Sequence, residues 1–155
     1  MKTLLACLCL ATLPVAAHAG PELRTDTAPV IADPELAIQL GADQRGMRQY
    51  MLVILKSGPT PVTEGPQRSA MFAGHFANMQ RLAQAGKLAV AGPFTDKGDW
   101  RGLFILAVTT QAEAEALVAT DPVIAQGEMV AEYHPLYASA ALMAVNATHL
   151  RIAPQ

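Results

Sequence analysis

His75 and Asp121 are the residues whose types and surroundings suit acid–base chemistry. His75 lies three residues after Phe72 and four before Met79, so on a helix its ring points toward the apolar face. Asp121 begins an Asp-Pro pair just after a second helical segment. A carboxylate beside an imidazole orients the ring and fixes its tautomer, which is the minimum arrangement for general acid–base catalysis. The spacing alone leaves a second interpretation open, in which His75 is a core histidine and Asp121 ends a helix before a proline.

Hydrophobic periodicity and turn signals predict the elements that would hold these two side chains. Apolar runs bounded by glycine and proline predict strands, and apolar residues spaced by three and four predict helices. The predicted strands are residues 50–56, 87–91, 102–108 and 129–134, and the predicted helices are residues 67–85 and 111–120. We expect Gly92 and Pro93 to end the second strand, where a backbone kink can open a pocket. The element order is therefore β-α-β-β-α-β.

This order is that of the ferredoxin-like split βαβ fold, an α+β arrangement in which an antiparallel four-stranded sheet carries both helices on one face. The two helices then lie side by side, which can bring His75 to Asp121. Residues 52–55 of the first strand are all apolar, so both faces of the sheet need cover. The sequence predicts that a second copy packs sheet on sheet, as a homodimer and a dimeric α+β barrel. Cover by the tail around residues 140–143 is the alternative.

Several short motifs in a fixed order resemble those of the YCII-related (YciI-like) family. They are MFAGHF at residues 71–76, GKL at 86–88, AGPF at 91–94, EAEA at 113–116 and TDP at 120–122. The resemblance covers about residues 49–137, the whole regular part of the chain. It implies a ferredoxin-like dimeric α+β barrel with a His–Asp pair in a cleft, which by motif is His75 and Asp121. Gly92, Pro93 and Phe94 would then form the ligand-binding wall of that cleft.

The resemblance does not name a substrate. The chemistry linked to the family is elimination of chloride from a chlorinated, hydroxylated ring, and related dimeric barrels include lactone isomerases, monooxygenases without cofactors and haem enzymes. We expect a cofactor-independent enzyme in which His75 is the general acid or base and Asp121 orients it. A small cyclic or aromatic compound would undergo isomerisation or elimination. Arg101 and Tyr137 are candidates for binding a polar substituent, but no pattern places either in the cleft, and the sequence favours a solvated Arg101. The alternative is a non-catalytic dimer that binds a small ligand or a protein partner.

Composition narrows the class of protein further. The 155 residues suit one domain, and the formal charge of −2 comes without a basic run, so a nucleic-acid partner is not expected. None of the four histidines belongs to an HxH or HExxH motif, so no metal site is expected. The sequence also has no glycine-rich phosphate loop. We therefore expect neither a metal nor another cofactor.

The N-terminus has the three parts of a secretory signal peptide: Lys2, a short apolar run and an Ala-x-Ala site that ends at Ala19. Cleavage after Ala19 would remove Cys7 and Cys9, so the mature chain would have no thiol. A retained membrane anchor and lipidation at Cys7 are the alternatives. We expect an exported protein, periplasmic or secreted, that does not contact the membrane after cleavage. Its parts would be an irregular leader at residues 20–49, the YCII-like domain at 50–137 and an extension at 138–155.

Overall fold

The computed structural model describes residues 31–153. The predicted signal peptide, its cleavage site after Ala19 and the first part of the 20–49 leader lie outside the described residues. The described elements in chain order are α1 (Pro34–Leu40), β1 (Met47–Ser57), α2 (Pro66–Gln84), β2 (Leu88–Pro93), β3 (Trp100–Leu106), α3 (Gln111–Val118), α4 (Pro122–Ala125), β4 (Met129–Ser139), a 3-10 helix (Ala140–Ala144) and α5 (Val145–Ile152). None of the helices in this part of the chain is long and apolar enough to cross a membrane.

The four strands form one antiparallel sheet in the order β2-β3-β1-β4. β1 and β3 are therefore central, and β2 and β4 are the edge strands. α2 connects β1 to β2, while α3 and α4 connect β3 to β4, so each helical connection joins strands that are not neighbours in the sheet. This is the split βαβ arrangement. The predicted α+β, ferredoxin-like fold is confirmed.

The hydrophobic core lies between one face of the sheet and the helices. Met51, Val53 and Leu55 alternate along β1 and are buried in one apolar cluster with Met71 and Leu82 of α2. The other buried members of the cluster come from the remaining strands, from α3 and α4, and from the residues that flank them: Leu88, Phe104, Leu106, Val108, Ala114, Val118, Val123 and Met129. α2 and α4 contact each other, which places their side chains next to one another.

Two boundaries near the predicted site differ from expectation. β2 ends at Pro93, so the strand stops at Gly92 and Pro93 as predicted but includes both residues, two beyond the predicted end at residue 91. β2 is an edge strand, and an edge strand tolerates proline because only one of its sides is paired. The helix predicted over residues 111–120 ends at Val118, and α4 begins separately at Pro122. Asp121 between them is extended (φ −84°, ψ 125°), as the residue before a proline prefers.

The sheet face opposite the helices is apolar around Tyr50 and Ile54 and charged where Lys56 of β1 pairs with Glu132 of β4. Tyr50 and Ile54 alternate with the core residues of β1, so they lie on this face, and they are 1% and 6% exposed. The Tyr50 hydroxyl donates to the carbonyl oxygen of Ser139 (3.0 Å), and Nδ2 of Asn146 donates to the carbonyl oxygen of Leu88 (2.7 Å). The C-terminal tail consists of the 3-10 helix and α5. It contacts β1 and β2.

Candidate active site

His75 and Asp121 are in direct contact. His75 lies in the middle of α2 and Asp121 precedes the first residue of α4, and Nδ1 of His75 is 2.8 Å from Oδ2 of Asp121. Gly74 permits this approach, because a Cβ atom at that position would lie 2.9 Å from Cγ of Pro122. The structure thus brings together the two residues singled out in the sequence. The sequence analysis missed Gly74, although an isolated glycine inside a helix, which costs about 1 kcal/mol relative to alanine, often has a packing reason.

Asp121 is fully buried, and both of its carboxylate oxygens have partners. Oδ1 accepts a hydrogen bond from the backbone N–H of Val123 (3.1 Å) and so caps α4. Oδ2 faces His75 and lies 3.5 Å from Nδ2 of Asn78. An ionised carboxylate only accepts hydrogen bonds, so the neutral imidazole carries its proton on Nδ1 and leaves Nε2 unprotonated. Nε2 is therefore the nitrogen that can accept a proton from a ligand.

Asn78 holds the other side of Asp121 in place. Its Oδ1 accepts hydrogen bonds from Nη2 of Arg81 (2.7 Å) and from the hydroxyl of Thr120 (3.1 Å). Because both donors reach the oxygen of the amide, the NH2 group is directed toward Asp121. The sequence analysis missed Asn78. Its spacing of three residues from His75 on the same helix was the available signal, since such residues share a face.

A cavity of about 310 Å³ adjoins the imidazole, between α2 and the sheet. Among the described residues, no buried side-chain nitrogen or oxygen lacks a hydrogen-bond partner. Nε2 of His75 has no such partner in this part of the chain, so it is accessible rather than sealed in the core. His75 lines the cavity, and because Nδ1 is engaged by Asp121, Nε2 is the ring nitrogen that remains for a ligand. Seven large apolar residues line the same space: Leu55, Phe72, Phe76, Met79, Leu103, Phe104 and Met129.

The residues predicted to form the ligand-binding wall fall into two groups. Gly92 and Pro93 of β2 line the cavity. Phe94 follows them but is not among the lining residues, and its ring packs on Trp100 with 5.5 Å between the ring centroids. A Cβ atom at Gly92 would meet no atom within 4 Å, so the glycine leaves free space at this part of the wall.

Three aromatic rings surround the imidazole of His75. The centroids of Phe72, Phe76 and Phe104 lie 6.0, 5.4 and 6.0 Å from the imidazole centroid, and Phe104 is nearly parallel to it (26°). These contacts and the hydrogen bond to Asp121 restrict the orientation of the imidazole.

A largely buried ion pair supports the same wall from behind. The Arg68 guanidinium lies 4.5 Å from the ring centroid of Phe72, and its Nη2 is 2.8 Å from Oε1 of Glu128. Oε2 of Glu128 accepts a hydrogen bond from the backbone N–H of Val62 (2.6 Å). Glu128, which precedes β4, is therefore linked to α2 through Arg68 and to the preceding loop through Val62, and the guanidinium packs on Phe72.

Arg101 and Tyr137, both candidates for binding a polar substituent, lie in different places. Arg101 lines the cavity, whereas Tyr137 does not. The Tyr137 hydroxyl donates a hydrogen bond to the carboxylate of Asp43. This hydrogen bond lowers the pKa of Asp43 and raises the pKa of Tyr137. Tyr137 is thus engaged outside the cavity.

Among the described residues, the other His–carboxylate pair lies outside the cavity. Within residues 31–153, no group of three or more His, Cys, Asp or Glu side chains could hold a metal ion. Nε2 of His134 is 2.9 Å from Oε1 of Glu132 on the exposed side of β4, and His149 lies on α5. Hydrogen bonds from Lys56 and His134 lower the pKa of Glu132. The imidazole of His75, held by Asp121, can accept a proton from a ligand at Nε2.

Comparison with known proteins identifies the family of this domain. Residues 49–136 match the family model described as a YCII-related domain, which confirms the resemblance seen in the sequence. The matched segment begins within β1 and ends within β4, so it contains the whole sheet framework and both members of the His–Asp pair. No curated protein matches the chain.

Proposed function

The chain belongs to the YCII-related family, and we propose that His75 and Asp121 perform general acid–base chemistry, without a cofactor, on a small cyclic or aromatic compound. The observation that carries this proposal is the orientation of the imidazole. A fully buried carboxylate holds Nδ1 at 2.8 Å, while Nε2 is left to a cavity. A general base and its orienting partner require this arrangement, in which the carboxylate holds one ring nitrogen and the other is free to react.

The reaction follows from the basic nitrogen at Nε2. It removes a proton from a carbon next to an electron-withdrawing group, and the electron pair of the broken C–H bond either delocalises into that group or forms a C=C bond. In the first case the protonated Nε2 returns the proton to another atom of the same molecule, which is an isomerisation. In the second case a leaving group departs with its own bonding electrons and the proton passes to water, which is an elimination. Asp121 stabilises the imidazolium in both.

The size and lining of the cavity support a small ring as the ligand. Ligand pockets commonly range from about 300 to 1,000 Å³, so this cavity of about 310 Å³ lies at the small end. Phe72 and Phe76 present aromatic surfaces against which a flat ring can pack. The lining is apolar apart from a few groups, and the cavity opens to solvent beside Phe76, which is 60% exposed, so a small ligand can enter from that side.

Ligand binding without catalysis is the second candidate. His75 is only 8% exposed and lies among three aromatic rings, an arrangement that also suits a hydrogen-bonding wall. In that case Nε2 would accept a hydrogen bond from a small ligand or a partner without removing a proton.

We also propose that the mature chain is exported and acts as a homodimer. Export is supported by the Lys2, apolar and Ala-x-Ala pattern of residues 1–19. Homodimerisation is supported by the apolar character of the sheet face opposite the helices, which a second copy could cover.

Deuterium exchange tests the acid–base proposal. A panel of small cyclic and aromatic carbonyl compounds and acids is incubated in D2O with the wild type, with His75→Asn and with His149→Asn as a control on α5. Nuclear magnetic resonance (NMR) then follows replacement of C–H by C–D and the appearance of product. We expect the wild type and the control to react, and the rate to fall roughly 10²–10⁴-fold in His75→Asn. Unchanged exchange by His75→Asn contradicts the proposal, and binding by the wild type without exchange favours the second candidate.

A further inference from the structure

Arg101 is a cation that lines the cavity without an acidic partner among the described residues. It is partly buried, and no carboxylate in residues 31–153 lies within ion-pairing distance of it. The described Lys and Arg side chains that do form ion pairs are Lys56, Arg68 and Lys87. Removing a guanidinium partly from water is costly unless an anion compensates it. The position of Arg101 therefore suggests that the compensating anion comes with a ligand.

The pairing of β1 with β3 shifts register at Arg101, beside the cavity. In the pairing of β1 with β3, Leu55 is opposite Gly102 and Lys56 is opposite Trp100, so Arg101 is an extra residue on β3. Strict alternation would direct Arg101 and Gly102 to opposite faces of the sheet, whereas a bulge sets two residues against one and redirects a side chain. The residue opposite the bulge, Leu55, also lines the cavity.

Backbone contacts hold the bulge firmly. The carbonyl oxygen of Arg101 accepts a hydrogen bond from the N–H of Phe94 (3.1 Å). A Cβ atom at Gly102 would lie 2.8 Å from the carbonyl oxygen of Gly92, so glycine allows β2 and β3 to come close at this point. Arg101 is thus attached to a rigid part of the sheet rather than to a mobile loop.

The charges that line the cavity all favour an anion. Of the described lining residues, none is Asp or Glu, and the two that can carry a positive charge are Arg101 and His75. The negative charge of Asp121 is behind the imidazole, where it accepts hydrogen bonds from protein donors. One guanidinium matches one carboxylate in charge and in its two-pronged geometry, whereas a phosphate with two charges would call for more donors.

We infer that the cavity binds a small aromatic or cyclic carboxylic acid whose carboxylate pairs with Arg101 and whose ring packs on Phe72 and Phe76, which leaves a ring carbon or its substituent near Nε2 of His75. This inference names the substrate class of the proposed function and rests on that function for the reaction, but not for binding. Arg101 is accordingly a specificity-determining residue, which favours acids over neutral compounds of the same shape.

Paired ligands test the inference. Benzoate and benzamide have the same ring and nearly the same size but differ in charge, and phenyl phosphate tests a different anion. Calorimetry gives the affinity of each for the full chain, for Arg101→Gln, for Arg101→Lys and for Arg151→Gln, an exposed arginine on α5. We expect benzoate to bind more tightly than benzamide, and Arg101→Gln to weaken benzoate roughly 10- to 100-fold without changing benzamide. Arg101→Lys keeps the charge but loses the paired geometry and should be intermediate, and Arg151→Gln should match the wild type.

Several results would overturn the inference: no binding of benzoate at millimolar concentration, equal binding of benzoate and benzamide, or tighter binding of phenyl phosphate than of benzoate. If Arg101→Gln and Arg151→Gln weakened benzoate binding equally, the cause would be the net charge of the protein. That result would also overturn the inference. If Arg101→Gln does not fold, the affinity difference between wild type and Arg101→Lys decides. Arginine-dependent benzoate binding without deuterium exchange would contradict the proposed reaction alone, whereas exchange confined to neutral compounds would contradict this inference alone.

Discussion

At the scale of single residues, Asp121 has two roles that use different oxygens. Oδ1 caps α4 through the N–H of Val123, and Oδ2 faces Nδ1 of His75. The sequence offered helix termination and an acid–base pair as competing explanations of Asp121, but the geometry is compatible with both. The cap helps to fix the carboxylate, and a fixed carboxylate fixes the imidazole, so the local structural role serves the geometry of the candidate site.

The tautomer of His75 provides a test that needs no substrate. In the wild type the neutral ring should carry its proton on Nδ1, because the carboxylate of Asp121 can only accept. Asp121→Asn presents an amide that can donate or accept, so we expect a mixture of the two tautomers. Asparagine caps helices about as well as aspartate, and α4 should therefore persist. Nitrogen-15 chemical shifts of the imidazole measure the tautomer.

Turnover should follow the same order once a substrate is known. Asp121→Asn spoils orientation, whereas His75→Asn removes the base, so the first change should reduce turnover less than the second. A wild-type imidazole protonated on Nε2 would contradict the assignment of His75 as a base at that nitrogen.

Part of the candidate site could be predicted from the sequence, and part could not. The apolar spacing around His75 and the Asp-Pro pair at Asp121 are local patterns that can be read without coordinates. Asn78 and Gly74 matter because of what they meet on other elements, namely Asp121, Thr120 and Pro122. Contacts between elements depend on the angle and distance at which helices pack, which a single sequence does not specify.

At the scale of elements, the close approach of α2 and α4 brings the His–Asp pair into contact. Gly74 precedes His75 on α2, and Pro122 follows Asp121 at the start of α4. The distance at which Gly74 packs on Pro122 therefore sets the distance between His75 and Asp121. The shortness of α4 fits this role, since Pro122–Ala125 is a single turn that begins at Asp121.

Gly74→Ala should therefore destabilise the protein even though alanine is the better helix former. Alanine gains about 1 kcal/mol of helix propensity, but its Cβ atom would overlap Pro122, and overpacking costs about 1–3 kcal/mol. We expect the free energy of unfolding to fall by up to about 2 kcal/mol, with His75 displaced from Asp121. Urea denaturation measures the first effect and the imidazole nitrogen-15 shifts the second.

The control for this substitution is Gly98→Ala. Its Cβ atom would meet no atom within 4 Å, and the change should alter stability by less than about 0.5 kcal/mol. A Gly74→Ala variant at least as stable as the wild type would show that the packing of α2 on α4 is loose enough to absorb a methyl group.

The full length of β4 could not be predicted from the hydrophobic pattern. Periodicity predicted the fourth strand over residues 129–134, but β4 extends to Ser139 because it pairs with β1 along its whole length, from Met129 opposite Ser57 to Ser139 opposite Met47. Pro135 interrupts the strand pattern after His134, because proline is disfavoured inside a strand, so the pattern does not extend the strand to Leu136 and Tyr137. Pairing with a neighbour, rather than intrinsic preference, makes them part of the sheet.

At the scale of the whole molecule, the sheet has two faces with different partners. The helices cover the face of Met51, Val53 and Leu55. On the other face the tail is attached near Tyr50, where the hydroxyl bonds to Ser139. Further along the same face, Val130 of β4 remains 42% exposed, because it alternates with the core residues of that strand.

Homodimerisation through this second face is the prediction for the molecule as a whole. Packing of two sheets would remove Val130 from water together with the half-buried Leu52 of the same face, and a stable interface typically buries about 1,600 Å² in total. Light scattering at micromolar concentration should therefore give the mass of two chains.

Val130→Lys adds a charge at a position that is exposed in the single chain, so it should leave the fold intact and shift the mass to that of one chain. Leu150→Lys, on α5 and 68% exposed, is the matched control and should remain dimeric. A single-chain mass for the wild type would mean that the tail is sufficient cover for the sheet, and a dimer that survives Val130→Lys but not Leu150→Lys would move the interface to α5.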